Sequence, residues 1–207
     1  MNERATKIKV LYQDASLLAV HKPVGIATYR ESRDGNAEGC KEILEEQLNQ
    51  RMFPVHRIDA DTSGVVIFAL DTKTAAGLTR AFKEHQVFKT YLAWCVGPVP
   101  KDGSIRTPLK KNKSELKESA RTDFERVRLE RGCSLVQIFP TTGRFHQIRR
   151  HFDSIGHALV GDPLYGSAQA WTGFFKGSPR LMLQADSLEL LHPVSRKPLL
   201  IRTKEKL

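Results

Sequence analysis

The sequence predicts an α+β fold, a mixed, largely antiparallel central sheet with flanking helices. Three observations predict it. Strand-like runs recur along most of the chain, several of them in hairpin order. Only three stretches, near 40–52, 73–85 and 143–155, carry apolar residues at helical spacing. Arg131-Gly132 lies between two β-rich runs, and a glycine at that place is a hairpin-turn signal.

Taken in order, Ile8–Tyr12 and Leu17–His21 read as two strands around the turn Gln13-Asp14-Ala15-Ser16, and Lys22-Pro23-Val24-Gly25 stops the second. Arg30–Gly39 has no apolar period and reads as a loop. Cys40–Met52 places Ile43, Leu44 and Leu48 on one helical face. Val65–Leu70 is apolar on both parities, so both faces of that strand are expected to be covered. Asp71 or Thr72 can cap the helix Lys73–His85. Val87–Val96 is a strand closed by Gly97-Pro98. A basic insertion, Lys110–Lys117, precedes the hairpin Arg121–Leu129 and Ser134–Phe139. A helix is predicted from Thr141-Thr142-Gly143 to about Ile155, then a loop over Asp162–Gly177, then closing strands at Leu181–Leu191 and Leu199–Arg202. Without a linker, repeat or low-complexity tract, residues 1–207 read as a single domain.

Composition narrows the function. Forty per cent hydrophobic residues can fill a core. No stretch approaches the roughly 20 apolar residues of a spanning helix, and MNERATKIKV has no apolar core of a secretory signal. Three scattered cysteines, Cys40, Cys95 and Cys133, fit a reducing cytoplasm and give no zinc pattern with the histidines. The net charge of +10 points to a polyanion, with nucleic acid as the leading candidate.

Two segments carry candidate chemistry. Residues 53–70, FPVHRIDADTSGVVIFAL, set two acids, an arginine and a histidine directly against an apolar strand. Residues 141–166, TTGRFHQIRRHFDSIGHALVGDPLYG, place Phe145, Ile148, Phe152 and Ile155 on one helical stripe. Arg149 borders that stripe, while His146, Arg150 and Asp153 fall on another face. An arginine there either snorkels to solvent or meets a carboxylate, for which Asp59 and Asp61 are the candidates.

These segments resemble the signatures of the RluA-type pseudouridine synthases. HRIDADTSGVVIFAL is similar to their HRLDxxTSGxxxxA motif, and TGRFHQIRRHFDSIGHALVGDPLYG to their TGRxHQIRxHxxxxGHPxxGDxxYG motif. FKTYLAWCVG resembles KxYxAxVxG, LYQDASLLAVHKPVGI the N-terminal strand pair ending in NKPxG, and LMLQADSLELLHPVSRKPLLI the closing LxLHAxxLxxxHP segment. The match runs in order along nearly the whole chain. His21 stands where the family has Asn, Ala158 where it has Pro, and Gln184 where it often has His.

The resemblance implies a pseudouridine synthase fold and the isomerisation of a uridine in structured RNA, either rRNA or tRNA. It implies Asp59 as the catalytic carboxylate, Tyr91 as the ring that stacks on the uracil, and Arg149 as the basic partner of Asp59. Arg57 matches an arginine that enters the RNA beside the flipped base. Arg144, His146 and Arg150 in the second motif, with Lys110, Lys111 and Lys113 in the basic insertion, complete the candidate RNA contacts. Thr62, Ser63, Gly64, His56, Asp162 and Tyr165 are expected to shape and hydrogen-bond the loops, and Asp61 to be a loop acid. An isomerisation consumes no group, so no cofactor and no metal are expected. Many relatives carry an S4 module ahead of the catalytic domain, and the few residues before the first strand predict none here. A cytoplasmic monomer is expected, with RNA as partner and no membrane. The competing reading is an RNA-binding or RNA-folding chaperone that keeps the fold without catalysis; against a hydrolase using Asp and His stands the lack of a G-x-S-x-G elbow or a metal pattern.

Overall fold

A computed structural model describes residues 7–30, 38–110, 116–166 and 180–207. Parts of three predicted loops, residues 31–37, 111–115 and 167–177, lie outside these, as do Lys111 and Lys113. The chain divides into two compact units. One runs up to Val87 and resumes over Ala185–Glu205; the other holds Phe88–Gln184 with Lys206–Leu207.

The first unit contains β1 (Lys9–Gln13), β2 (Leu17–Lys22), α1 (Cys40–Leu48), β3 (Phe53–Pro54), β4 (Ser63–Ala69) and α2 (Thr72–Lys83). Most of β11 (Leu183–Leu191) and all of β12 (Pro198–Arg202) complete it. β2 pairs antiparallel with β1 on one side and β4 on the other, with Leu18 opposite Phe68 and Lys22 opposite Gly64. β12 pairs antiparallel with β11. Every residue of β4 is buried, which is the two-sided burial predicted from its unbroken apolar run. Its odd positions, Val65, Ile67 and Ala69, join Leu17, Ala19, Leu78 of α2, and Leu188, Leu190 and Ile201 in one core.

Helix starts and stops follow their caps. Asp71 accepts a hydrogen bond from the Thr74 backbone at 2.8 Å and opens α2 as the sequence predicts. α1 ends earlier than predicted, because Asn49 turns left-handed at φ 48° and its amide closes back on the last turn.

The second unit contains β5 (Phe88–Val96), β6 (Asp102–Ile105), β7 (Leu109–Lys110), β8 (Lys117–Glu118), β9 (Thr122–Glu130), β10 (Cys133–Pro140) and α3 (Gln147–Ser154). The strand order is β5-β10-β9-β6, with each neighbouring pair antiparallel. Arg131 and Gly132 form the predicted turn between β9 and β10, both left-handed at φ 48° and 78°. Ile148 and Phe152 of α3 cover Ala93, Val136 and Ile138 on the sheet. The short β6 and the β7–β8 pair were not predicted, since two to four residues leave no readable period.

The third helix corrects the sequence reading. It begins at Gln147 rather than near Gly143, because His146 sits left-handed at φ 49°. The Gln147 side chain takes over the turn before it, accepting from the Arg144 amide at 3.0 Å and the Thr142 hydroxyl at 2.7 Å. Phe145 and Ile155, the ends of the expected apolar stripe, lie outside the helix and are exposed. Arg149 does not border the buried face; it is within it, at 1% exposure.

Candidate functional site

In the first unit, residues 56–62 form a loop held from inside by a lysine that the sequence reading used only as a strand stop. Lys22 ends β2 with its side chain fully buried. Its ammonium donates to the carbonyl oxygens of Pro23 (2.8 Å), Ile26 (2.7 Å) and Ala60 (3.0 Å). Three acceptors match the three donors of an ammonium. Ala60 also accepts from the Gly25 amide at 2.9 Å. Burial pulls the Lys22 pKa down to about 8, while electrostatic interaction with Cys40, Asp59 and Asp61 opposes that shift. Asp61, expected to be only a loop acid, therefore shares with Asp59 the task of balancing a buried cation.

Backbone bonds complete the loop. The Thr28 hydroxyl donates to the Ile58 carbonyl at 3.0 Å and accepts from the Ile58 amide at 3.1 Å. The Thr62 amide donates to the Asp59 carbonyl at 3.0 Å, closing a tight turn around Ala60 and Asp61. Gly64 follows at φ 115°, and a Cβ there would overlap the Ala185 carbonyl oxygen. Asp59 is thereby held half-buried on a rigid turn between the ends of β2 and β4. His56 has the scaffold role expected of it. Its Nε2 accepts from the Ile67 amide at 2.9 Å, and its ring stacks on Phe82 at 4.4 Å. Arg57 is exposed, its guanidinium carbon 5.7 Å from the centre of the Tyr29 ring.

In the second unit, Tyr91 lies on β5 opposite Ile138 and is half-buried against the core beneath α3. Arg149 meets a carboxylate, as the cost of burying it demands. Asp162, thirteen residues on, meets it: Nε to Oδ2 is 2.8 Å and Nη2 to Oδ1 is 2.7 Å. Asp162 Oδ1 also accepts from the amides of Leu164 (2.9 Å) and Tyr165 (3.0 Å), which fixes the following loop as expected. The Tyr165 ring stands 5.2 Å from the Arg149 guanidinium carbon, and its hydroxyl is 3.2 Å from His146 Nδ1. His146 also stacks on Phe145 at 3.7 Å.

The remaining candidates in the second motif are engaged by the protein. Arg144 is 2.6 Å from Glu118 and donates to the Ser119 carbonyl at 3.1 Å. Arg150 donates to the Lys110 carbonyl at 3.1 Å. Lys110 itself is exposed at the end of β7. Lys22 and Asp162 are the anchoring residues that the sequence reading undervalued. The signal for each was present: a lysine ending an apolar strand before Pro-x-Gly, and an acid in the tight Gly161-Asp162-Pro163 turn.

Comparison with known proteins gives a consistent picture. The family profile described as RNA pseudouridylate synthase matches residues 16–154, more than half of the chain. A protein named tRNA pseudouridine synthase C from Vibrio cholerae serotype O1 is 33% identical over 94% of this chain and 90% of its own. One of the same name from Haemophilus influenzae is 33% identical over 94% of this chain and 91% of its own. Among solved structures, Human RNA Pseudouridylate Synthase Domain Containing 1 superposes with a TM-score of 0.82 at 24% identity, covering 99% of this chain and 86% of that one. At that identity the likeness speaks for the fold.

Proposed function

The chain belongs to the RNA pseudouridylate synthase family, and we propose that tRNA is the RNA whose uridine it isomerises, with Asp59 as the acting carboxylate. The observation that carries the choice of tRNA is the pair of relatives named for it, each matched over about nine-tenths of its length. The rigid, half-buried seat of Asp59 supports its role: a reacting group must be held within a fraction of an ångström.

The reaction balances within the substrate. The N1–C1′ bond breaks, the uracil turns while held, and C5 bonds to C1′. The proton on C5 is lost and N1 gains one. No electron donor or acceptor enters, so the reading needs no cofactor. The target base leaves its stack at a cost of a few kcal/mol, and a ring such as Tyr91 returns about 1–3 kcal/mol by stacking. Arg57, Arg144, His146, Arg150 and the lysines of the insertion supply salt-dependent contacts to phosphates in this proposal. Arg149 is kept among the site residues in this reading, with Asp162 holding its guanidinium by two bonds. Residues 1–207 act as one catalytic domain, monomeric and cytoplasmic; among the described residues, no helix is long and apolar enough to cross a membrane.

The test is tritium release from unmodified tRNA transcripts labelled at uridine C5. Release with pseudouridine appearing at a defined position supports the reading. Release from rRNA fragments but not from tRNA overturns the substrate.

A further inference from the structure

Residues 107–110 leave the second unit's core and residues 116–122 return to β9, the two legs pairing through β7 and β8. Helix α3 and the turn that leads into it hold both legs. On the outgoing leg, His151 Nε2 lies 2.9 Å from the Thr107 carbonyl and Arg150 donates to the Lys110 carbonyl. On the returning leg, Arg144 meets Glu118 and Ser119, and Gln147 Nε2 donates to the Arg121 carbonyl at 2.9 Å. Thr122 Oγ1 is the hub: it accepts from Gln147 Nε2 at 3.0 Å and lies 2.8 Å from His151 Nδ1.

Only one proton arrangement satisfies this network. A carbonyl oxygen can only accept, so His151 Nε2 carries the hydrogen and Nδ1 accepts from the Thr122 hydroxyl. Thr122 in turn accepts from Gln147. Gln147, His151 and Thr122 are all buried. A buried polar network with every member satisfied fixes one geometry, here that of the arm's two roots.

The arm they hold is basic. Its two described legs, residues 107–110 and 116–122, carry Lys110, Lys117 and Arg121 against Glu118. Lys110 and Lys117 face each other directly across the β7–β8 pair, and both are exposed. Like charges at opposed positions weaken a strand pair, and a phosphate placed between them offsets that repulsion.

We propose that Gln147 and His151 are positioning residues for RNA capture: through Thr122 and Thr107 they set the arm so that Lys110 and Lys117 together grip the phosphate backbone. This rests on the RNA-modifying reading above, and neither residue touches the reacting atoms.

The full chain and its variants are compared for binding to unmodified tRNA transcripts at several salt concentrations, and for tritium release from the same transcripts. Lys110→Ala with Lys117→Ala changes only exposed side chains. It is expected to reduce the slope of log affinity against log salt by about one to two. His151→Leu is expected to weaken binding at least about fivefold and to raise KM, with kcat at saturating RNA changed less than about twofold. Thr122→Val, which keeps the volume and removes the hub hydroxyl, should do the same and serves if His151→Leu does not fold. Added to His151→Leu or Thr122→Val, the lysine changes should cost less than they do in the wild type. An unchanged salt slope in the lysine variant, a fall in kcat without a rise in KM in the hub variants, or full additivity of the two sets overturns the proposal. Wild-type binding without tritium release counts against tRNA as substrate alone, and the binding measurements still decide the role of the arm.

Discussion

Arg149 and Asp162 form a two-point ion pair inside the second unit, at 2.7 and 2.8 Å, with side chains 1% and 0% exposed. Two groups make one anchor: the same carboxylate oxygen that meets the guanidinium also caps the amides of Leu164 and Tyr165. The pair thus ties α3 to the loop that follows the turn at Asp162. Removing one member of such a pair strands the other's charge, which costs about 3–5 kcal/mol. Asp162→Ala is expected to lower unfolding stability by that order in urea titrations. A loss below about 1 kcal/mol would mean that solvent reaches the guanidinium.

Lys22 gives a second prediction, with a sign that differs from most lysines. Burial depresses its pKa from 10.5 to about 8, so the unfolded chain binds the extra proton more tightly than the folded one between those values. Stability therefore rises with pH through that window, relative to a variant without the group. Lys22→Met leaves the carbonyls of Pro23, Ile26 and Ala60 without this donor and should cost about 1–3 kcal/mol or more at pH 7. The gap between the two proteins should widen as the pH rises from 8 to 10.5. Parallel curves across that range would refute the depressed pKa.

Gly64 should tolerate no side chain. Its φ of 115° and the Ala185 carbonyl beside it leave no room for a Cβ. Gly64→Ala is expected to destabilise by more than about 1 kcal/mol, read as a drop in melting temperature. Because Lys22 lies opposite Gly64, the Asp59 turn should loosen with it, seen as faster amide exchange at Thr62.

Tyr91 tests the stacking role. Tyr91→Ala is expected to lose about 1–3 kcal/mol of kcat/KM, while Tyr91→Phe, which keeps the ring, should lose much less. Equal losses in the two variants would shift the role from the ring to the hydroxyl.

The sequence disclosed what local rules govern. The Arg131-Gly132 turn, the Asp71 cap and the two-faced burial of β4 all follow from residue type and spacing, and all are present. The demand of Arg149 for a carboxylate was legible too, since burial of a charge is costly wherever it occurs. That Asp162 takes Nε and Nη2 was not, because only the tertiary path of the Gly161-Asp162-Pro163 turn brings it there. The start of α3 was missed for a related reason: the Gln147 side chain replaces backbone bonds in residues 142–146, and no periodicity encodes that substitution. Lys22 was read as a stop signal because its three acceptors are backbone carbonyls, which every residue carries and no sequence pattern marks.

The central claim is that Asp59 performs the chemistry. Its most direct test is single-turnover tritium release by Asp59→Asn on C5-labelled tRNA transcripts, with binding of the same transcripts measured alongside. The substitution keeps size and hydrogen-bonding shape while removing the ionisable carboxylate. The expected result is no release above background with affinity within about threefold of wild type, since affinity comes chiefly from phosphate contacts. Release at the wild-type rate would contradict the assignment and move the chemistry to another residue.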